Sequence, residues 1–239
     1  MLKTSTGGNV IYLEGWKNKL KMALMAYKGE IKISSMTYFK YHKNHKFEGR
    51  KVLNVGCGKA VYPAPNVTNL DMFPHPGVQE VWDLSKTPLP FKDGEFDFII
   101  ANHILEHVPN WWECFKELAR IVKVGGKIEV WGPGDGGSSQ LGYRDHINTI
   151  NYCSFTGLRD TIRNMSNLWE DHEALSVGAA KDLQRSPTIY RVKPVWWLYL
   201  LPTSVLTWLC QSARNIVEEQ GWEFVKMPPI EKSANVFYP

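Results

Sequence analysis

A short apolar run that ends in two glycines constrains this chain more than any other feature. Residues 51–58 read Lys-Val-Leu-Asn-Val-Gly-Cys-Gly, and Asp71 follows thirteen residues after the second glycine. A run of this kind is typical of a parallel strand that is buried on both faces. The glycines let a ligand approach the backbone closely, and an acid that ends the next strand is placed to accept hydrogen bonds from a ribose diol. The pattern therefore predicts a nucleoside-binding crevice.

Strands and helices alternate after residue 50, in a chain of 239 residues that is 44% hydrophobic and 22% charged. This alternation favours an α/β fold, which we predict to be a Rossmann-like, doubly wound, mostly parallel sheet of seven strands with an N-terminal helical arm and a helical cover. The predicted elements are strands at 51–55, 67–70, 79–82, 96–101 and 127–131, a helix capped by Asn110 with Glu113 and ended by Gly125, a helix over 212–220 ended by Gly221, and closing strands at 222–226 and 235–238.

The link between the first two strands is unusually short. Only twelve residues separate Gly58 from Asp71, and Pro63 and Pro65 interrupt them. A full crossover helix does not fit such a segment, so we predict a shortened first crossover. The third glycine of a G-x-G-x-x-G dinucleotide motif is also missing, because Val61 stands in its place.

Charge divides the chain into a basic arm and a mildly acidic remainder. Residues 1–51 carry ten Lys and one Arg against three Glu, a net charge of +8, and the whole chain carries +4. A basic arm can contact nucleic acid, anionic lipid or an acidic substrate, or it is a solvated extension. We therefore predict an arm over 1–48, with an amphipathic helix at 14–28, and a domain over 49–239. Within that domain, 49–134 form the ligand-binding half and 135–211 the cover.

The cysteine pattern and the polar first residues indicate a reducing, cytoplasmic location. The four cysteines form no C-x-x-C pair, so neither a disulfide framework nor structural zinc is predicted. The uncharged run 194–210 is shorter than the ~20 residues of a spanning helix and contains Pro202. We interpret it as a buried helix, although the flanking Arg191 and Lys193 leave peripheral membrane contact open. Oligomeric state is left open.

Five motifs in one order give the chain a family resemblance. They are Leu53-Asn54-Val55-Gly56-Cys57-Gly58, Asn69-Leu70-Asp71, Asp83-Leu84 with Leu89-Pro90-Phe91 and Asp93-Gly94-Glu95-Phe96-Asp97, Asn102-His103-Ile104-Leu105-Glu106-His107-Val108, and Leu118 to Gly126. Together they resemble the class I S-adenosylmethionine-dependent methyltransferases, in particular the type 11 small-molecule group. The resemblance covers roughly residues 50–134.

The resemblance implies S-adenosyl-L-methionine as the cofactor. The residues that it places against this cofactor are Asn54, Gly56, Cys57, Gly58, Asp71, Met72, Asp83, Leu84, Asn102 and His103. In the family's pattern the glycine turn meets the methionine and ribose portions, and Asp71 accepts from the ribose hydroxyls. Asp83 accepts from the adenine amino group, with Met72 and Leu84 beside the ring. The Asn102-His103 pair lies by the methionine moiety and the methyl group.

Two departures from the family pattern concern the same turn. Asn54 stands where the family commonly has Asp, so a charge that favours the cofactor's ammonium is lost. Without a first helix the cofactor's carboxylate also lacks a helix N-terminus. Lys59, Tyr62 or a residue of the basic arm is the predicted substitute.

A hydroxyl acceptor gains from a general base, and three histidines are candidates for it. His103 lies nearest the expected methyl group, and His107 follows about one turn later. His146 lies on a glycine-rich loop, 132–153, that can close over the strand ends. The alternatives are a structural hydrogen bond for His107 and a surface position for His146. No metal site is predicted.

The absence of two motifs narrows the class of methyl acceptor that the sequence predicts. After the fourth strand there is no Asp/Asn-Pro-Pro-Tyr/Phe, and no Pro-Cys pair exists, which disfavours methylation of a base amine or a pyrimidine carbon. We therefore predict O-methylation of a small molecule, sugar or glycan. The alternatives are an RNA methyltransferase guided by the basic arm, whose binding weakens steeply with salt, or an inactive methyltransferase-like binding protein.

Overall fold

The fold is described from a computed structural model. It describes residues 10–12, 47, 49–134, 140, 142–151, 154–155, 180, 182–185, 189–192, 201–202, 205, 209–210 and 217–229. The predicted helix at 14–28 and strand at 235–238 lie outside the described residues, as does most of the run 194–210.

One sheet organises the described part of the chain. Its strands are β1 (Val10–Tyr12), β2 (Val52–Val55), β3 (Val67–Asp71), β4 (Glu80–Val81), β5 (Phe96–Asn102), β6 (Val122–Pro133), β7 (Leu183–Arg185), β8 (Ile189–Val192) and β9 (Val217–Lys226). The strands pair in the order β1-β8-β9-β6-β5-β2-β3-β4, and β7 also pairs with β9. Helix α1 (Trp111–Ile121) lies between β5 and β6 in the sequence. Strands β2 to β6 are parallel, and β9 runs antiparallel to β6 and β8.

This topology confirms the predicted Rossmann-like, doubly wound sheet. Six of its strands, β2 to β6 and β9, correspond to predicted strands, whereas β1, β7 and β8 were not predicted and the predicted strand at 235–238 lies outside the described residues. The chain leaves β2 for β3 on one side and later returns to pair β5 on the other. This reversal between β2 and β5 is the switch point at which open α/β sheets bind ligands, at the carboxyl ends of the strands.

The first crossover is short, as predicted, and residues 59–66 contain only turns and irregular backbone. Aromatic side chains cover the sheet face there. The rings of Phe47 and Tyr62 meet edge to face, with centroids 5.6 Å apart, and Phe47 also contacts Phe98 of β5. They pack on a small core that includes Val52 and Val67. A few aromatic contacts thus replace the apolar stripe of a helix.

The other face of the sheet holds the main core, against α1. The buried side chains of this helix are Cys114, Phe115, Leu118, Ala119 and Ile121. Phe155, Trp222 and Phe224 pack with Phe115 in a cluster whose ring centroids lie about 5 Å apart. Such aromatic burial dominates core energetics.

Helix α1 differs from its prediction at both ends. It ends at Ile121, because Val122 takes extended backbone and begins β6, so Gly125 lies inside that strand. The predicted capping box is wrong, since the Asn110 side chain makes no cap hydrogen bond and its Nδ2 donates to the carbonyl of Ser85. Glu113 instead pairs with Lys116 at 2.7 Å.

Arg120 joins α1 to the segment before β5. Its guanidinium donates to the carbonyls of Leu89 and Phe91 and to the carboxylates of Asp93 and Glu117. A rigid fork of donors suits this many acceptors at once. The Leu-Pro-Phe and Leu-Ala-Arg motifs are therefore two halves of one structural network.

The helix predicted over 212–220 is wrong for its described residues, since 217–220 belong to β9. Gly221 lies in mid-strand opposite Trp131 of β6. A Cβ at residue 221 would lie 2.6 Å from Cδ2 of that indole, so only glycine lets the ring cover the backbone. Pairing with β6 decides the conformation here, and not local propensity. Within the described ranges, no helix has the length and apolarity needed to cross a bilayer.

Candidate functional site

The glycine turn at the end of β2 has a backbone that other residues rarely adopt. Gly56 and Gly58 have φ values of 58° and 49°, in the left-handed region. A Cβ on Gly56 would overlap the side chain of Ile104, whereas a Cβ on Gly58 would meet no atom within 4 Å. The first glycine is thus required by packing, and the second faces open space beside the strand ends.

Asp71 ends β3 next to this turn. Its Oδ2 accepts from the backbone N–H of Gly58 at 2.8 Å, and its Oδ1 accepts from the N–H of Phe73 at 3.0 Å. The residue is 9% exposed. Two donors fix the carboxylate, and each of its oxygens keeps acceptor capacity for a ligand. Burial, and then the charge of Asp71, raise the pKa of the nearby Cys57 thiol to about 11, so Cys57 is a neutral thiol near pH 7.

Asn54 is buried and holds the short crossover in place. Its Nδ2 donates to the carbonyl of Ala60 and to Oδ1 of Asn69, both at 2.9 Å. Asn69 also bonds the Tyr62 backbone and Gln79. A carboxylate could not donate these two hydrogen bonds, which gives a physical reason for Asn where the family commonly has Asp. That Asn54 also touches the cofactor stays a prediction.

The residues predicted for the adenine lie along the next strand edge. Met72 is 54% exposed and follows Asp71. Asp83 Oδ1 accepts from the N–H and the hydroxyl of Ser85, at 2.9 and 2.7 Å, and these bonds hold the pKa of Asp83 below its usual value. Leu84 is buried in the main core. This edge therefore offers a fixed carboxylate and an exposed apolar side chain.

Asn102 and His103 end β5 at the same edge of the sheet. Asn102 Oδ1 is buried and has no hydrogen-bond partner among the described residues. His103 has a φ of 49°, and its Nδ1 and Nε2 lie 3.2 Å and 3.6 Å from carboxylate oxygens of Glu106 and Glu219. Burial disfavours the charged imidazole, but these two carboxylates outweigh it and raise the pKa of His103 to about 9.

Sequence reasoning missed both of these carboxylates as site residues. Glu106 lies three residues after His103, a spacing that signals contact across one turn and could have found it. Glu219 gave no signal, because its place follows from the β6–β9 register within a segment predicted to be helical.

His107 and His146 come together on the other side of Glu106. Their ring centroids lie 4.7 Å apart, and His146 also stacks on Tyr143. His107 Nδ1 lies 3.0 Å from the carbonyl oxygen of Asp145. The structure thus brings loop residues 143–146 to the carboxyl ends of the strands. That this loop covers a ligand stays a prediction.

Lys59 and Tyr62, the two residues predicted to donate hydrogen bonds to the cofactor's carboxylate, are placed differently. Lys59 is exposed on the glycine turn. The backbone N–H of Tyr62 donates to Asn69, and its ring packs on Phe47. The side chain of Lys59 is therefore better placed than that of Tyr62 to reach a ligand at the turn.

Comparison with known proteins gives the class of this site. Residues 53–130 match a family model described as a methyltransferase domain. The matched segment contains the glycine turn, Asp71, Asp83 and Asn102. The match covers about a third of the chain and agrees with the resemblance to the type 11 methyltransferases.

Curated relatives match over part of their length. A demethylmenaquinone methyltransferase of Halalkalibacterium halodurans is 30% identical over 103 residues, 34% of this chain and 42% of that protein. An uncharacterized protein of Methanocaldococcus jannaschii is 50% identical over 42 residues, 18% of this chain and 20% of its own. The chain therefore spans less than half the length of these relatives. A solved S-adenosylmethionine-dependent methyltransferase from Archaeoglobus fulgidus aligns with a TM-score of 0.48 at 12% identity, over 88% of this chain and 94% of that one.

Proposed function

We propose that this protein is an S-adenosylmethionine-dependent methyltransferase that acts on a hydroxyl of a small molecule, sugar or glycan. The observation that carries the proposal is the hydrogen bond between Gly58 N–H and Asp71 Oδ2, because it joins the glycine turn and the ribose-type acid into one rigid edge. Both residues lie in the segment that matches the methyltransferase model.

The polar groups at this edge fit the proposed cofactor by their chemistry. Asp71, Asp83 and Asn102 Oδ1 are all hydrogen-bond acceptors. S-adenosylmethionine presents donors to them, namely ribose hydroxyls, an adenine amine and an ammonium. A phosphate-bearing nucleotide needs donors in return, and the two carboxylates would repel it.

Asn102 has the clearest reason to meet a ligand. A buried acceptor without a partner costs about 1–3 kcal/mol, and its Oδ1 is in that state among the described residues. We assign this oxygen to the ammonium of the cofactor, whose charge strengthens the hydrogen bond. Asp71 takes the ribose hydroxyls, and Asp83 the adenine amine beside the exposed Met72.

When bound, the cofactor supplies a methyl group on a positively charged sulfur, already activated for transfer. The chain's own residues then have to orient an acceptor and exclude water from it. His103 does not act as the general base in this proposal, since each of its ring nitrogens faces a carboxylate within 3.6 Å. It positions Glu106 and Glu219 at the end of β5.

A small-molecule acceptor is supported by the curated relatives, several of which are named for demethylmenaquinone. The covering loop also presents the exposed Tyr143 and Ile147 near the strand ends, and such side chains suit an acceptor with apolar parts.

Calorimetry with S-adenosylhomocysteine, the demethylated product, tests the cofactor assignment. Asp71→Asn should weaken binding about 10- to 100-fold, the scale of a hydrogen bond to a charged group. Glu113→Gln, which changes an exposed carboxylate on α1, is the matched control and should leave the affinity unchanged. The absence of heat with the unmodified chain at millimolar ligand would refute the proposal, and equal affinity of Asp71→Asn would refute the ribose assignment.

A methyl-release assay over sugars, small hydroxylated molecules and RNA then tests the acceptor. Turnover of a small hydroxylated compound supports the proposal. Turnover of RNA alone, with an affinity that falls steeply as salt rises, would replace it with the RNA alternative.

A further inference from the structure

Three potential metal ligands meet beside the proposed crevice. One ligand atom from each of Glu106, His107 and His146 lies within 4.8 Å of the other two. Glu106 and His107 belong to a single 3₁₀ turn, Leu105–His107, whereas His146 lies on the covering loop. The cluster therefore joins two segments that are far apart in sequence, and no local motif could have revealed it.

Two of the three side chains carry a buried polar atom without a hydrogen bond. Glu106 is 1% exposed, and its Oε1 pairs with His103 Nδ1 at 3.2 Å. Its Oε2 is buried and accepts no hydrogen bond from any described residue. His146 Nδ1 is buried and equally lacks a partner within the described ranges. Such groups are costly to bury unless something satisfies them, and a cation between them would satisfy both.

The third ligand is oriented as metal-binding histidines usually are. His107 Nδ1 lies 3.0 Å from the carbonyl oxygen of Asp145 and 3.3 Å from its Oδ2. A carbonyl can only accept, so Nδ1 carries the hydrogen and Nε2 keeps its lone pair. A hydrogen bond from the second ring nitrogen to a carbonyl or carboxylate is the common outer contact of histidine ligands.

The two segments are already joined by their backbones. The N–H groups of Ile147 and Asn148 donate to the carbonyl of Glu106 at 3.0 and 3.1 Å, and Asn148 Nδ2 donates to the carbonyl of Val108 at 2.6 Å. Tetrahedral zinc sites with bonds of about 2.1 Å need ligand atoms about 3.4 Å apart. The ligand atoms, within 4.8 Å of one another, would therefore have to approach by up to about 1.4 Å when the metal binds.

We propose that Glu106, His107 and His146 bind one Zn²⁺ ion, which fastens residues 142–148 of the covering loop to the strand-end edge. Two imidazoles and one carboxylate are a zinc ligand set that leaves a fourth position open, whereas Mg²⁺ and Ca²⁺ prefer oxygen ligands alone. With zinc bound, neither His107 nor His146 is available as a general base.

Metal titration of the full chain tests this proposal independently of methyl transfer. The protein is stripped with a chelator and titrated with Co²⁺ and Zn²⁺, with the cobalt absorption bands and thermal unfolding as readouts. We expect one equivalent of metal per chain, bands typical of four-coordinate cobalt, and a higher melting temperature with zinc. His146→Ala and Glu106→Gln should each weaken zinc binding more than tenfold.

The control variant is His75→Ala, which changes the histidine of a second cluster, Cys57, Asp71 and His75. It should keep the metal affinity of the unmodified chain, and His146→Ala should keep the affinity for S-adenosylhomocysteine. The proposal is overturned if the stripped chain binds no stoichiometric zinc at micromolar concentration, or if His75→Ala abolishes binding while His146→Ala does not. If the unmodified chain binds zinc but does not bind S-adenosylhomocysteine, only the proposed function is refuted.

Discussion

Replacing Asn54 by aspartate tests whether an amide network, and not a helix, supports the glycine turn. In the structure Asn54 donates two hydrogen bonds of 2.9 Å, to the Ala60 carbonyl and to Asn69 Oδ1, from a position that is 3% exposed. Asn54→Asp removes both donors and directs a buried charge at two acceptors. Two lost hydrogen bonds at about 1 kcal/mol each, together with unsatisfied buried groups, give an expected destabilisation of about 2–4 kcal/mol at pH 7.

Urea unfolding of both chains at pH 7 and pH 5 measures this effect. Burial raises the folded-state pKa of an introduced aspartate above its unfolded value. The destabilisation is therefore largest above the folded pKa, and it should shrink as pH falls and the acid regains a donor. Asn66→Asp is the matched control, because Asn66 Nδ2 also donates to two carbonyls but is only part-buried, so water can replace the bonds and the loss should be smaller. Equal stability of Asn54→Asp and the unmodified chain would show that the network does not hold the turn.

Two further predictions concern the main core and its edges. Gly221→Ala should destabilise the fold by about 1–3 kcal/mol in urea, the usual cost of overpacking, because the new Cβ meets the Trp131 indole; an unchanged midpoint would contradict that contact. Burial opposes ionisation of Glu117, but hydrogen bonds from Arg120 and the Leu89 N–H outweigh it and hold the pKa of Glu117 below its usual value. Its contribution to stability is present above the unfolded-state pKa and is lost as pH falls through the folded pKa. Arg120→Lys should therefore flatten the acid limb of the stability curve between pH 5 and 3, and an unchanged slope would contradict this linkage.

The central strands were predictable because each one is a short apolar run between turn residues. The run that became β5 was predicted at 96–101 and observed at Phe96–Asn102. The predictions failed where tertiary contacts decide. Asn110 is of a residue type that often caps helices, yet its amide donates to the carbonyl of Ser85. Residues 217–220 had a helical pattern, yet Val217 pairs with β8 and residues 219–220 pair with β6.

The residues of the candidate site likewise fall into those that the sequence predicts and those that tertiary contacts place. The glycine turn, Asp71 and Asn102 could be predicted, since the carboxyl ends of parallel strands meet at one edge. The pairing of Glu219 with His103 depends on strand register, and the meeting of Glu106 with His146 depends on where a loop docks. Neither leaves a pattern in a single sequence.

The short crossover has a consequence for the dynamics of the crevice. Residues 59–66 are held by amide hydrogen bonds from Asn54 and Asn69 and by two aromatic rings, while α1 lies against the main core. Segments with little apolar burial open at a lower free energy than the whole domain does, so amide exchange should be faster here than in α1. A ligand that bridges Gly58 and Asp71 would add its binding free energy to this local stability. Amide exchange in this wall of the crevice should therefore slow when a ligand binds, which couples recognition to local stability.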